Sequence, residues 1–345
     1  GSNILHKGVG GSETYIIEMA RYIQANNLFK TIVFCNTPNK KDEIFENTLY
    51  THIDNYYEFI NTTCVHTCVI SRFSEYLPVT NKSFVENIYL MLHDLSASGN
   101  VISLNSKLKN IFCLTEWHCS YFTNMFPNLK DITVPFNNGT SFKFDENVNK
   151  IPFKFIYSSF PDRGLLPLLE MWPKIHSKEP KATLHIYCNL DKQWINSLDH
   201  DKIDKINSLI EIYTNDSAID DYNIGIFNHG WVSKQELEKS WQSSDFWFYP
   251  CTFKETFCIT ALEAAITKTF VITNGLAGLE NTVADRGITI YGDPNTTEWK
   301  NVALEQIFYY FDSKNKDQKN TLINKNYEWA KNLTWNARAG DLIIM

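Results

Sequence analysis

Two glutamates, Glu255 and Glu263, stand with seven residues between them. Glu263 lies in 261–266, which is otherwise Ala, Leu, Ala, Ala and Ile. A carboxylate on a helix that apolar is costly to bury unless hydroxyl or amide donors meet it. Glu255 falls just before the same helix. Eight residues span about 12 Å if helical, at ~1.5 Å per residue. That distance suits two ends of one elongated ligand better than two carboxylates sharing one reacting atom. Between them, the amides of Phe257, Cys258, Ile259 and Thr260 open the helix and would face an anion. The expectation is an anion site between two hydroxyl-accepting carboxylates. A nucleotide-diphosphate sugar presents its groups in that order: sugar, pyrophosphate, ribose. Two glutamates eight apart also arise often by chance, so the rest of the chain has to agree.

Three other places could bear on such a ligand. Arg163 sits in the loop Ser159-Phe160-Pro161-Asp162-Arg163-Gly164, where a strand meets a helix. A guanidinium there can grip a pyrophosphate in bidentate fashion. His93 and Asp94 end an apolar strand, and the carboxyl ends of parallel strands line ligand crevices. A histidine there can bind sugar hydroxyls or take a proton, or simply pack beside a capping Asp. Gly10 and Gly11 precede Ser12, a candidate N-cap, with Glu13 in the first turn. Taken alone, Gly-Gly is an ordinary tight turn, but it also bares amides at a helix start.

The elements that position these residues alternate. Short apolar runs at 31–35, 64–71, 87–92, 111–114 and 132–136 read as strands, with Ile4-Leu5-His6 as a short strand before the glycine loop. Ile16, Met19, Ala20 and Ile23 follow helical spacing. Residues 140–152 are polar and irregular and mark an interdomain linker. The alternation restarts with strands at 153–158, 183–188, 224–228, 245–250, 269–273 and 287–291. Helices are expected after residue 164, over 192–212, and at 298–311 and 317–332. The result is α/β: two doubly wound domains, 1–150 and 151–330, with 331–345 packing back on the first.

Glu255-x7-Glu263 resembles the E-x7-E motif of the retaining, nucleotide-sugar-dependent glycosyltransferases of family 4, which have the GT-B fold with a donor cleft between two domains. The resemblance is strongest over 153–279 and collinear over most of the remainder. It implies that Glu255 and the amides of 257–260 hold the donor sugar and phosphates, and that Glu263 holds the ribose hydroxyls. It implies that His93 lies beside the reacting sugar, and that Gly10 and Gly11 approach the donor phosphate or the acceptor. His229-Gly230-Trp231-Val232 is similar to the segment whose backbone meets the base, which adds Val232 to the donor site. Residues 274–279 look like the family's glycine-containing cleft loop. The chain departs from the pattern at the phosphate clamp. Arg163 stands in the usual Lys position and Ser159 where an Arg is common, so one cation is missing. Ser-x-Pro-Asp-Arg-Gly-Leu nonetheless resembles a subgroup of such transferases. The implied activity moves a sugar from a UDP- or GDP-sugar to an acceptor hydroxyl on a glycan or glycoconjugate, with retention and without a metal. The rivals are another enzyme of this fold, such as a sugar-nucleotide epimerase or a phosphorylase, and a catalytically weak sugar-nucleotide or glycan-binding protein.

Composition narrows the partners. The chain has 345 residues, 43% hydrophobic and 21% charged, with net charge -7. No basic run suggests a nucleic acid. No apolar run approaches the ~18 residues of a membrane span, and no signal peptide opens the chain. Gly1-Ser2 resembles an expression scar, and whether native residues precede Asn3 is not readable. Eight cysteines are scattered, and Cys64-x3-Cys68 is poor zinc spacing. Reduced, buried cysteines and a cytoplasmic protein are expected, with peripheral membrane attachment left open. No Asp-x-Asp metal motif occurs, since Asp220 and Asp221 are adjacent. The oligomeric state is not readable.

Overall fold

The computed structural model describes residues 1–5, 9–99, 101, 107–190, 200–214 and 224–344. His6, Gly8, the start of the expected 192–212 helix and the Asp220-Asp221 pair lie outside the described residues. The chain forms two compact units, residues 1–140 with 333–345, and residues 141–332.

Among the described residues the first unit carries the strands β1 (Ile32–Cys35), β2 (Glu43–Phe45), β3 (Thr48–His52), β4 (Val65–Ser71), β5 (Val85–Met91), β6 (Leu108–Cys113) and β7 (Thr133–Pro135). Its labelled helices are α1 (Gly11–Ala25), α2 (Tyr56–Thr62), α3 (Leu77–Lys82) and α4 (Glu116–Met125). Strands β4-β5-β6-β7 make a parallel sheet in sequence order. Both faces are covered, so Ile88, Leu90, Ile111 and Cys113 are fully buried, against Phe122 of α4 and Leu129. Near-continuous apolar runs are what a two-sided parallel sheet requires. A separate sheet, β1-β3-β2, adds a hairpin that the sequence pattern did not reveal. Its turn residues, Glu46 and Asn47, both have positive φ (48° and 64°), as a tight hairpin turn demands. Glu-Asn is not the Asn-Gly pair that announces such turns.

Two expectations about the N-terminus need correction. Ser2–Leu5 is a 3-10 turn rather than a strand, tied down where the terminal amine and the Ser2 amide donate to Glu43 at 2.8 and 3.1 Å. The N-cap of α1 is Gly10, in extended conformation, and Ser12 falls inside the first turn. The C-terminal helix, Trp335–Ile344, belongs to this unit. Trp335 is buried edge-on against Tyr15 of α1, with ring centroids 5.9 Å apart.

The second unit carries β8 (Ile151–Tyr157), β9 (Thr183–Ile186), β10 (Ile226–Asn228), β11 (Ser244–Tyr249), β12 (Phe270–Thr273) and β13 (Ile288–Thr289). Its helices are α5 (Leu165–Lys178), α6 (His200–Thr214), α7 (Lys234–Ser243), α8 (Ile259–Ile266), α9 (Leu279–Thr282), α10 (Thr297–Phe311) and α11 (Lys316–Ala330). The sheet is parallel throughout, in the order β10-β9-β8-β11-β12-β13. Counted within the unit this is 3-2-1-4-5-6, the doubly wound dinucleotide-binding order. Its core is aromatic. Phe155 of β8 stacks on Phe246 of β11 at 4.8 Å, and Trp172, Trp241 and Trp247 are wholly buried. Residues 141–150, placed with the first domain from sequence, fall in this unit. The amides of Lys143 and Asp145 donate to the side chains of Glu238 and Gln242, and Lys150 Nζ donates to the Trp241 carbonyl.

Candidate functional site

Open parallel sheets bind ligands beyond the carboxyl ends of their strands, where the strand order reverses. In the second unit that point lies between β8 and β11. Two loops leave the sheet there, 158–164 and 250–258. They are fastened to each other by backbone. Thr252 donates from its amide to the Arg163 carbonyl at 2.9 Å, and from its hydroxyl to the Asp162 carbonyl at 3.1 Å. Gly164, with φ 154°, permits this crossing, because a Cβ there would lie 2.6 Å from the Pro250 oxygen.

The crossing brings Ser159, Arg163 and Glu255 together. Arg163 Nη1 donates to both Glu255 carboxylate oxygens, at 3.2 and 3.3 Å. Tyr249, the last residue of β11, donates its hydroxyl to Glu255 Oε1 at 2.9 Å. Since that proton is committed, the Ser159 hydroxyl, 3.1 Å away, donates to the Tyr249 oxygen. Burial pushes the Glu255 carboxyl up, and Arg163 and Tyr249 pull it back. The sequence reading gave Arg163 and Glu255 to different parts of a ligand; the structure ion-pairs them. Among the described residues, Arg163 uses only Nη1 in hydrogen bonds, which leaves Nε and Nη2 for another acceptor. Beneath the pair, Gly278 donates its amide to the Glu255 carbonyl at 2.8 Å, and a Cβ there would strike the Glu255 and Thr256 oxygens at 2.7 and 2.6 Å. Asn274 exchanges two hydrogen bonds with the Cys251 backbone, at 3.2 and 2.8 Å. The loop at 274–279 thus holds the Glu255 loop in place.

Phe257 and Cys258 are buried, and Cys258 caps α8 with φ 72°. A left-handed non-glycine residue costs about 1–2 kcal/mol, and such strain concentrates at functional sites. The first-turn amides of Ile259 and Thr260, which follow Cys258, have no intrahelical acceptors. Glu263, one turn on, is only 6% exposed. Burial pushes its carboxyl up to about 7, with Lys234 of α7 pulling down and Glu238 pushing up. Among the described residues its carboxylate makes no hydrogen bond and no ion pair. Val232 lies just before Ser233, which caps α7 through a full capping box. Lys234, two residues on, is the cation that acts on Glu263.

The first unit gathers a second group. Gly10 and Gly11 begin α1, and Arg72 Nη1 reaches Ser12 Oγ at 3.0 Å. Arg72 also grips Asp94 through Nε and Nη2, at 2.8 and 3.2 Å. His93 Nε2 meets Ser71 Oγ at 3.0 Å, and the Tyr15 ring stands edge-on to the imidazole at 5.1 Å. Burial, then Arg72 and His118, push His93 down to about 3. It is therefore a neutral imidazole at physiological pH, able to accept or donate one hydrogen bond on each side. His118 is buried, with Nδ1 accepting the Leu114 amide and Nε2 donating to the Asp94 carbonyl.

Sequence reasoning missed Tyr249 and Arg72. Tyr249 ends an aromatic run and looked like core. Arg72 did carry a signal, since it follows the apolar strand β4 directly, as Arg163 follows β8 closely. Its φ of 68° is left-handed, which no residue pattern announced.

No protein-family model matches the chain, and no curated protein matches its sequence. Its fold does match solved structures. A sucrose-phosphate synthase from Thermosynechococcus elongatus is 15% identical with TM-score 0.70, covering 98% of this chain and 93% of that one. The Anabaena protein HepE, solved with UDP and glucose, is 12% identical with TM-score 0.67, covering 97% and 95%. The pneumococcal O-GlcNAc transferase GtfA, solved with UDP and GlcNAc, is 13% identical with TM-score 0.60, covering 87% of this chain. The chain spans only 60% of the length of GtfA. These identities speak for architecture alone, and with the sheet orders above they establish it: the chain has the GT-B fold, two Rossmann-like α/β domains, as these glycosyltransferases have.

Proposed function

We propose that this protein is a retaining glycosyltransferase that moves a sugar from a nucleotide-sugar donor to an acceptor hydroxyl. The observation that carries the reading is Glu263, a buried carboxylate that meets no donor among the described residues, on the helix that follows β11 in a doubly wound sheet. A ribose supplies the two hydroxyls such a carboxylate lacks. The first-turn amides of α8 and the free edge of Arg163 take the diphosphate, which gathers charge as it leaves. Glu255, set by Tyr249 and Arg163, takes hydroxyls of the transferred sugar. The neutral His93 on the first unit serves as a sugar-hydroxyl partner, with Gly10 and Gly11 opening an amide-lined loop beside it. Arg163 and the helix-end amides act where other transferases use a cation, so the transfer needs no metal. The neighbours solved with UDP favour a uridine donor over a guanosine one. A thermal-shift panel of UDP- and GDP-sugars tests the donor class, and acceptor-dependent release of the nucleoside diphosphate tests transfer. A panel in which no nucleotide sugar raises the melting temperature refutes the reading.

A further inference from the structure

We propose that Phe160 and Phe253 are positioning residues that hold the Arg163 guanidinium where a donor diphosphate meets it, in place of a second cation. This rests on the reading above, in which Arg163 binds the diphosphate. The two rings come from the two loops that cross at the switch point. The Arg163 guanidinium carbon lies 5.1 Å from the Phe160 ring centroid and 4.2 Å from that of Phe253. Both distances are within the range of a cation–π contact. Both rings are conspicuously exposed, at 43% and 39%, so core packing does not account for them. Their backbones are pinned. The Tyr157 hydroxyl donates to the Phe160 carbonyl at 2.6 Å, and the Arg163 amide donates to the same oxygen at 3.1 Å. Cys251 Sγ donates to the Phe253 carbonyl at 3.0 Å. An arginine has a long, many-rotamer side chain, and ordering it on binding costs affinity. Here the rings and Glu255 order it beforehand. Among the described residues Glu255 takes Nη1 alone, so the restrained guanidinium presents Nε and Nη2. A single preorganised fork then does what two loosely held cations would do, and desolvation by the rings strengthens its pull on phosphate.

The test uses UDP and UMP, or GDP and GMP if the guanosine pair binds the wild type. The diphosphate carries the group that Arg163 is assigned, and the monophosphate lacks it. Calorimetry is run on wild type, F160L/F253L, R163A and the triple variant. Exposed Phe→Leu changes keep the fold, and thermal unfolding verifies it. The expected result is a loss of UDP affinity of about 2–10-fold in F160L/F253L, from the cost of ordering one rotamer-rich side chain on binding, about 0.5–1.5 kcal/mol. UMP affinity should stay within twofold, and the Leu changes should have no further effect once Arg163 is Ala. The inference is overturned if F160L/F253L leaves UDP binding intact while R163A weakens it. It is overturned equally if UMP weakens as much as UDP, because the rings then touch the nucleoside or serve the fold. If R163A itself leaves UDP binding unchanged, or neither diphosphate binds the wild type, the assignment of Arg163 to the phosphate fails, and the positioning role with it.

Discussion

Replacing Glu263 with Gln should move stability and affinity in opposite directions. The carboxyl is buried, and burial raises it from 4.5 to about 7. A group raised in the folded state binds its proton more tightly there than in the unfolded chain. Its stabilising contribution is complete below pH 4.5 and is lost as pH rises through 7. The shift of about 2.5 units corresponds to roughly 3 kcal/mol of destabilisation above pH 7, at about 1.4 kcal/mol per unit. Gln is nearly isosteric and carries no charge to desolvate. E263Q without ligand should therefore exceed wild type by only about 1 kcal/mol at pH 5 and by roughly 3 kcal/mol at pH 8, with the gap widening between those values. The same change should weaken a nucleotide sugar by about 1–3 kcal/mol, because hydrogen bonds to a charged acceptor are lost. Binding should also release protons. Ribose hydroxyls stabilise the carboxylate, so near pH 6.5 the donor drives off the proton that burial retained. Urea unfolding across pH reads the first effect. Calorimetry in buffers of differing ionisation enthalpy reads the second and third, with no proton release from E263Q. Unchanged affinity of E263Q for both UDP- and GDP-sugars would refute the ribose role, and a stability gap that does not vary with pH would refute the burial argument.

Arg163→Ala should lower kcat by about 10²–10³ with a smaller effect on donor KM, because leaving-group charge peaks in the transition state. Arg163→Lys should restore only part, and a steady-state assay of diphosphate release within a few-fold of wild type would reassign the phosphate to other residues. Turnover should persist in excess EDTA, and a complete loss restored by added divalent cation would identify a metal-dependent enzyme instead. Lys150 is a stability test away from the site. Burial lowers its ammonium from 10.5 to about 7, with Lys154 and Lys319 adding to the shift and Asp245 opposing it. The unfolded chain then binds the extra proton between pH 7 and 10.5, so this group favours unfolding most below pH 7 and least above 10.5. Lys150→Met should raise the melting temperature at pH 7, and the gain should shrink as pH approaches 10; a gain independent of pH would show that packing alone is responsible.

What could be read from residues alone follows from how local each signal was. Strands β11 and β12 at the middle of the second unit's sheet are near-continuous apolar runs, and a parallel sheet covered on both faces needs runs of that kind. The order of the strands in that sheet could only be expected from the alternation of strand and helix. It is the order that makes the site, because placing β8 beside β11 crosses the Ser159–Arg163 loop with the Thr252–Glu255 loop. The types of Arg163 and Glu255 signalled charge, but their pairing spans 92 residues of sequence and had no local trace. Tyr249 was hidden for a different reason. An aromatic residue at a buried strand end is ordinary core until its hydroxyl is seen to meet a carboxylate. The β2–β3 hairpin escaped because positive φ at Glu46 and Asn47 is set by strand pairing rather than by residue preference. Ser12 lies inside the first turn of α1 rather than at its cap, and its hydroxyl accepts from Arg72, sixty residues away. The Arg163–Glu255 and Arg72–Ser12 pairs are tertiary contacts that no local preference announces. Both left-handed arginine and cysteine residues, Arg72 and Cys258, lie where such contacts converge on a strand or helix end. Backbone strain of this kind is maintained only when the surroundings over-determine it. Arg72, with its hold on Asp94 and Ser12 and its influence on His93, joins the first unit's candidate group on these contacts, and its place directly after β4 was the one trace of it in sequence.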